Sequence, residues 1–226
     1  ARRRYKWPGV AAVVVSVVHG VKGAYSGLKR IDGAEVDLVT AFLFHRGSDE
    51  DPAQLAENAG KSFIGSYVLG MGFTFDDDNE EATPIAEMHR LIAENPRNQE
   101  VIFPYIGGEE VNDSPTHSHR RYVINFGEMT EAEARAGWPE LMRIVGVKVR
   151  PGRERDNRAS YRKYWWLFAE KRLELRAAIA GLERVLVRAR LAKHHAMTLL
   201  PARMVFSEQL VVVATTDRAY IAILQS

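Results

Sequence analysis

The chain has 226 residues, 46% of them hydrophobic, no cysteine and a formal net charge of +2. That length is enough for one large core or two smaller ones, and the absent cysteine excludes disulfides and thiolate zinc sites and suits a cytoplasmic protein. No apolar run approaches the roughly 18 residues of a membrane span, and no signal peptide is recognisable.

Charge is unevenly spread. Arg143 to Arg203 carry sixteen Lys and Arg against five Asp and Glu, leaving fifteen against twenty-four elsewhere. Such polarity fits a solvated helix face balanced by acidic loops, or a surface that meets a polyanion, for which nucleic acid is the usual partner. The chain opens on "ARRRYKWPG" without an initiator Met and closes on the apolar "YIAILQS". It is therefore expected to be a piece of a longer protein.

In chain order, Val10 to Val18 ("VAAVVVSVV") reads as a buried strand, and so does Val36 to Phe44; the glycine-punctuated "GVKGAYSGLKRIDG" reads as the turn between them. A short helix is expected after Pro52. "KSFIGSYVLGMGFTF" follows, and its glycines at 65, 70 and 72 point to a bulged or closely approached strand pair. Ile85, Met88, Leu91 and Ile92 mark an amphipathic helix from Pro84 to Glu94, with "ENPRN" as its stop. "EVIFPYI" and "RRYVINF" are strands flanking the loop "GGEEVNDSPTHSH". Thr130 caps the next segment, where two short helices meet at Pro139. Ala159 to Leu182 is the longest helical candidate, basic over most of its surface. "RVLVRARLA", "LVVVATT" and "AYIAILQ" are the closing strands. The irregular alternation gives an α+β class, with curved mixed or antiparallel sheets, a long basic helix, and a strand-rich acidic part (1–127) ahead of a basic one (128–226).

The stretch "RVLVRARLAKHHAM" places Val185, Val187, Ala189 and Leu191 on one face of an extended chain. Arg188 and Arg190 fall on the other, followed by Lys193, His194 and His195. Catalytic motifs are missing: there is no P-loop, nucleophile elbow or HExxH. His117 with His119, and His194 with His195, lack the spacing and carboxylate of a metal site, so no metal is expected. "NPRN" at 95–98 nearly matches the Asn-Pro-Pro-aromatic loop of amino-group DNA methyltransferases, but lacks the second proline and the stacking ring.

Taken in order, "YKWPGVAAVVVSVVHGVKG", "RIDGAEV", "DPAQLAENAGKSFIGSYVLGMGF", "NPRNQEVIFPYIGGEEVN", "RRYVINFG", "VKVRP", "YWWLFAEKR" and "YIAILQS" resemble the target-recognition region of MmeI-like (type IIL) restriction–modification enzymes and related adenine-specific DNA methylases. The resemblance spans nearly the whole chain. It implies a methylase target-recognition fold that binds duplex DNA. An upstream methyltransferase domain of the same polypeptide would hold S-adenosylmethionine and modify adenine at N6. No cofactor and no catalysis are expected in this piece.

On that reading, Arg188, Arg190, Lys193, His194, His195 and Arg203 are candidates for base readout, since Arg to guanine O6/N7 is its commonest form. Lys61, Ser62, Lys148, Arg150, Arg153, Arg155, Arg158, Arg162 and Lys163 are candidates for backbone contacts. Trp165 is expected in the core, Trp166 against a neighbouring domain, and Phe63 in the core. Two other readings stay open: a docking domain that only shapes its own enzyme, and a non-specific nucleic-acid-binding module. An RNA-binding form of the latter would lack its usual RNP or GXXG signature.

Overall fold

The computed structural model describes residues 1–51 and 56–225, so the helix expected after Pro52 begins outside the described residues. The chain forms two compact units, Ala1–Leu55 and Ala56–Ser226. The first holds two hairpins. Strand β1 (Arg2–Lys6) pairs antiparallel with β2 (Val14–Val17), and β3 (Lys29–Ile31) with β4 (Ala34–Val36). The second hairpin is made by Asp32-Gly33, both at positive φ (53° and 90°), the geometry of a two-residue primed turn. Asp32 also accepts from the Arg3 amide (2.6 Å) and Arg3 Nε (2.8 Å), and these bonds hold its carboxyl below the usual range.

The second unit carries two four-stranded sheets. Its elements are β5 (Ser62–Ile64), β6 (Thr74–Phe75), α1 (Ile85–Glu94), β7 (Ile102–Ile106), α2 (Gly108–Asp113), β8 (Arg121–Ile124), α3 (Glu131–Gly137), α4 (Pro139–Lys148), α5 (Arg150–Glu154), α6 (Ala159–Lys163), α7 (Leu173–Ile179), β9 (Arg184–Ala189), β10 (Thr198–Pro201), β11 (Val205–Phe206), β12 (Leu210–Val213) and α8 (Arg218–Gln225). One sheet runs β11-β7-β8-β6, antiparallel except for the parallel β7–β11 pair; the other runs β10-β9-β12-β5, antiparallel throughout. The class is α+β.

Each sheet backs a core of its own. Phe73, Phe75, Val123, Ile124 and Phe126 join Met88 and Leu91 of α1, Leu141 and Val145 of α4, and the four residues Trp165–Phe168. Phe126 meets Trp138 at 6.5 Å, so the change in charge balance near residue 127 coincides with no break in packing. The second core gathers Val185, Val187 and Ala189 of β9, Leu210 and Val212 of β12, Leu200, Ile106, Leu175 and Ile179; Phe63 is half-buried against it.

Local signals explain several boundaries. Asn95 ends α1, and its side chain accepts from the Arg97 amide (3.2 Å); buried Asn98 donates to the Leu91 carbonyl (2.8 Å), which also accepts the Asn95 amide (3.0 Å). Thr130 and Glu133 form a capping box on α3, and Trp138-Pro139 separates α3 from α4 as expected. The spaced glycines do mark close approaches. A Cβ on Gly65 would lie 2.1 Å from the Ser207 carbonyl oxygen, and one on Gly72 would lie 2.5 Å from Lys148 Cβ.

Five expectations are corrected. The long basic helix is two short ones, α6 and α7, because Trp165, Trp166, Leu167 and Phe168 are all buried. Successive helical side chains point about 100° apart, so a helix with a wet face could not bury four in a row. The chain does so at Tyr164, pairs Glu170 with Tyr67 through two backbone bonds of 3.1 Å, and re-enters through Arg172 at φ 52°. Trp166 is accordingly core, its Nε1 donating to the Met129 carbonyl (3.0 Å). The strand expected at 36–44 stops at Val36; Thr40 closes a turn by accepting the Phe44 amide on its Oγ1 (3.0 Å), with Leu43 at φ 58°. "AYIAILQ" is helix α8, because Asp217 accepts the Ala219 amide at 2.8 Å as an N-cap would. "GGEEVND" contributes a helix, α2, to what reads as a loop.

Gly65→Ala forces backbone against backbone and is expected to cost about 2 kcal/mol or more in urea denaturation. Gly137→Ala, at a helical site with nothing within 4 Å of the added Cβ, is expected to be neutral or to gain about 0.5–1 kcal/mol.

Candidate nucleic-acid interface

The alternation read from "RVLVRA" holds on β9. Val185, Val187 and Ala189 are buried on one face, and Arg184 and Arg188 lie on the other. Leu186 shares the arginine face yet is fully buried, so that face is mixed. Leu191 departs from the pattern: it lies past the strand end and is 89% exposed.

Residues 190–197 connect β9 to β10, and several bonds from other elements fix where the connection begins. The Arg190 amide donates to the Gln209 carbonyl (2.8 Å), and Arg190 Nη1 to the Glu208 carbonyl (3.0 Å). Asn112 Nδ2, from α2, donates to the Leu191 carbonyl (3.0 Å). Beyond these anchors Ala192, Lys193, His194 and His195 are exposed. Half-buried Arg188 reaches back to the connection, its Nη1 lying 3.1 Å from His195 Nδ1; that contact requires Nδ1 to be the unprotonated acceptor. Among the described residues, none of Arg188, Arg190 and Lys193 pairs with a carboxylate.

Two acids of α2, Glu109 and Glu110, are otherwise engaged. Glu110 is buried and takes a two-pronged contact from Arg121 (2.7 and 2.8 Å), while Arg120 pairs with Glu109 at 2.8 Å. Glu110 also accepts the Gly107 amide (3.0 Å), and Gln209 Oε1 accepts the Gly108 amide (3.0 Å), which ties α2 to the turn before β12. Arg121 lies 5.0 Å from the centre of the Tyr105 ring. Burial, aided by the Glu208 charge, pushes the Tyr105 phenol up to about 12. Burial lowers the pKa of His119, whose ring meets Tyr122 edge-on at 5.0 Å.

Arg203 is not part of this group. It follows β10 and sits at the opposite end of the β9–β10 hairpin, where Pro201 pairs with Arg184. Roughly five residues of strand, on the order of 17 Å, lie between the two ends. There Arg203 and Arg176 line a cleft of about 150 Å³ with Ser66, Phe103 and Asn125. Sequence reading passed over Arg176 because α7 was merged into one long helix, and passed over Asn112 and Gln209 because an uncharged anchor leaves no compositional trace.

The proposed backbone contacts divide. Arg153 is only 3% exposed, which removes it from any binding surface. Its Nη2 donates to the Val68 (2.8 Å) and Leu167 (3.2 Å) carbonyls, with the Phe73 and Tyr161 rings beside it, and burial lowers its pKa. Lys148 Nζ donates to the Glu81 (3.0 Å) and Ala82 (2.8 Å) carbonyls. Arg150 pairs with Glu154 and faces Trp165, Arg158 with Tyr161, and Lys163 lies over the Tyr164 ring. Arg162 donates to the Asp156 carbonyl, and Arg155 is exposed. Lys61 Nζ donates to Tyr220 of α8 (3.3 Å), and Ser62 is exposed on edge strand β5. Residues 148–163 pack on the first core and residues 188–195 belong to the second sheet, so they form separate basic surfaces. Among the described residues, no three His, Asp or Glu side chains converge as metal ligands, and no helix is long and apolar enough to cross a membrane.

Comparison with known proteins places the fold. No family model and no curated protein matches the sequence. Among solved structures, the chain is similar to a segment of a restriction–modification enzyme of type IIL. That enzyme is MmeI, solved in complex with DNA; the match has a TM-score of 0.60 and 14% sequence identity, and covers 100% of this chain and 30% of that one. At that identity the likeness is one of fold, and the chain spans about 30% of the length of its neighbour.

Glu110→Ala leaves half-buried Arg121 without its counter-charge and is expected to cost about 3 kcal/mol, with Glu110→Ala/Arg121→Ala costing less than the two single changes summed. Tyr105 should ionise near pH 12, and Tyr105→Phe should delete that step from an ultraviolet titration. Because its folded pKa lies above the ordinary 10, its contribution to stability is complete below pH 10 and is lost as pH rises through about 12.

Proposed function

We propose that this chain is the duplex-DNA recognition segment of a larger adenine-N6 DNA methyltransferase or restriction–modification enzyme. Catalysis and the S-adenosylmethionine site would lie in an upstream domain of the same polypeptide. The observation that carries this reading is the β9–β10 connection. Its entry is anchored from Asn112 and from the 208–209 turn, while exposed Arg190 and Lys193 pair with no carboxylate among the described residues. The fold likeness to part of an enzyme solved with DNA supports it.

The mechanism is recognition. Arg190, Lys193, His194 and His195, with Arg188 behind them, would meet base edges in the major groove. Arg155, Arg162 and Lys163, on the separate α5–α6 surface, supply phosphate contacts, which add affinity and orientation without sequence information. Arg203 acts with Arg176 at the far end of the hairpin, as a second contact or as a backbone anchor. Holding the duplex in this way would let a target adenine swing out into the neighbouring catalytic pocket.

Fluorescence anisotropy with duplex oligonucleotides tests this directly. Binding should weaken linearly with log salt, and Lys193→Ala should reduce that slope by about 0.9 if it meets a phosphate. In the full-length enzyme, Arg190→Ala should relax one base position, losing about 1–3 kcal/mol of discrimination. Unchanged methylation patterns for both Arg190→Ala and Arg203→Ala would move readout elsewhere. Salt-independent or absent duplex binding would favour a docking domain instead.

A further inference from the structure

The cleft of about 150 Å³ that holds Arg176 and Arg203 has an unusual polar lining. Four polar side chains face it, those of Ser66, Asn125, Arg176 and Arg203, and no Asp or Glu does. The remaining wall is apolar, with Phe103 of β7 and Leu175 and Ile179 of α7. Every one of these residues belongs to the second unit, so the cleft is complete without the first.

What these four groups have left to offer is donors. Neither the Arg176 nor the Arg203 guanidinium makes a hydrogen bond or ion pair among the described residues, and both residues are exposed. Arg121, Arg153 and Arg190, by contrast, are each held by a carboxylate or carbonyls. The Arg176 guanidinium lies over the turn after β8, where a Cβ built on Gly127 would stand 3.3 Å from its Nη1. In that turn Asn125 Oδ1 accepts the Gly127 amide (2.9 Å), which leaves its Nδ2 to donate. Buried Ser66 gives its amide to the Phe206 carbonyl (2.7 Å), and its hydroxyl has no partner among the described residues. Two permanent cations on one small cleft repel each other, and its apolar wall weakens solvent screening. An anion between them removes that cost. The volume limits its size: about half the roughly 300 Å³ at which small-molecule pockets begin, and about five times the ~30 Å³ share of one water. That is room for one tetrahedral oxyanion with some of its hydration, and too little for a nucleoside.

We propose that this cleft is a single-phosphate site, in which Arg176 and Arg203 together grip one backbone phosphodiester of the bound duplex and Ser66 and Asn125 add supporting donors. Paired arginine forks suit phosphate oxygens, and such contacts fix orientation without reading sequence. The inference rests on the DNA-recognition reading and makes Arg203 a positioning residue. The cleft lies at the end of the β9–β10 hairpin opposite Arg190, so the phosphate gripped there is remote from any base that Arg190 meets. Ser66 bonds Phe206 of β11, directly before the 207–209 turn whose carbonyls hold Arg190. Grip and readout are thereby registered to one another through a single stretch of backbone.

Duplex binding by the full-length enzyme at graded salt tests it. Arg176→Ala/Arg203→Ala should lower the slope of log affinity against log salt by about 0.9, the increment for one shared phosphate, and leave the methylated sequence unchanged. Arg176→Lys/Arg203→Lys, which keeps both charges, should keep the slope. Replacing single phosphates of the target duplex by uncharged methylphosphonates should reveal one position that weakens the unsubstituted enzyme and has no effect on the double alanine variant. A loss of about 1.8 in slope would mean two separate phosphates and would overturn the inference. So would an unchanged slope, an altered methylated sequence, or a variant still sensitive at every methylphosphonate position. Inorganic phosphate alone separates this inference from the reading beneath it: it should raise the melting temperature of the unsubstituted enzyme by more than that of the double alanine variant. Equal shifts would overturn the phosphate site. Salt-independent duplex binding by the unsubstituted enzyme, with the phosphate difference intact, would instead overturn DNA as the occupant.

Discussion

The second unit depends on one crossing. After β11 the chain leaves the sheet built on β7, passes through Ser207–Gln209, and enters the other sheet as β12. The crossing is held from both sides. The Gly65 amide donates to the Leu210 carbonyl (3.1 Å) and the Ser66 amide to the Phe206 carbonyl (2.7 Å), an approach so close that residue 65 can carry no Cβ. On the other side Gln209 receives the Gly108 amide, and the Glu208 and Gln209 carbonyls receive Arg190. One backbone turn therefore registers the two sheets and sets the base of the cationic hairpin end. The position of Arg190 is inherited from the joint between the cores, and a loop free of that joint would not hold it.

Electrostatics follow from the same joint. The acidic character of "GGEEVND" turns inward, where Glu110 meets Arg121 and Glu109 meets Arg120. Those two acids are thereby spent within the fold and do not pair with the hairpin cations. The opposite happens on the first core, where several bases of residues 148–163 are satisfied by carbonyls, aromatic faces or Glu154. The segment richest in charge is thus partly structural, and the most available charge sits on a short connection between two strands. Arg153 is the extreme case: a base by composition, but part of the core in its role.

Periodic and capped elements were legible in the residues. Helix α1, the capping box at Thr130, the break at Pro139, the close approach at Gly65 and the inward face of β9 all follow from local patterns. What was not legible needed tertiary knowledge. "YWWLF" has the composition of a helix stripe, yet four adjacent buried side chains do not fit a helix with a wet face. "AYIAILQ" is ambiguous between strand and helix until Asp217 is recognised as its cap. "RIDGAE" carries the strongest short hairpin signal in the chain, but was absorbed into a longer glycine-rich stretch. For the site, the cations at 188–195 could be picked out by charge and spacing. The separation of Arg203 from them, and the anchors Asn112 and Gln209, could not, because strand pairing decides both.

The central claim is that the anchored end of the β9–β10 hairpin meets duplex DNA. Placing a photoreactive side chain at position 193 of the full-length enzyme, and a second at half-buried position 137 as a control, tests it most directly. The account predicts a salt-sensitive crosslink to target-site duplex from position 193 and none from 137. Absence of a crosslink at 193 under conditions where the enzyme methylates the same duplex would contradict it.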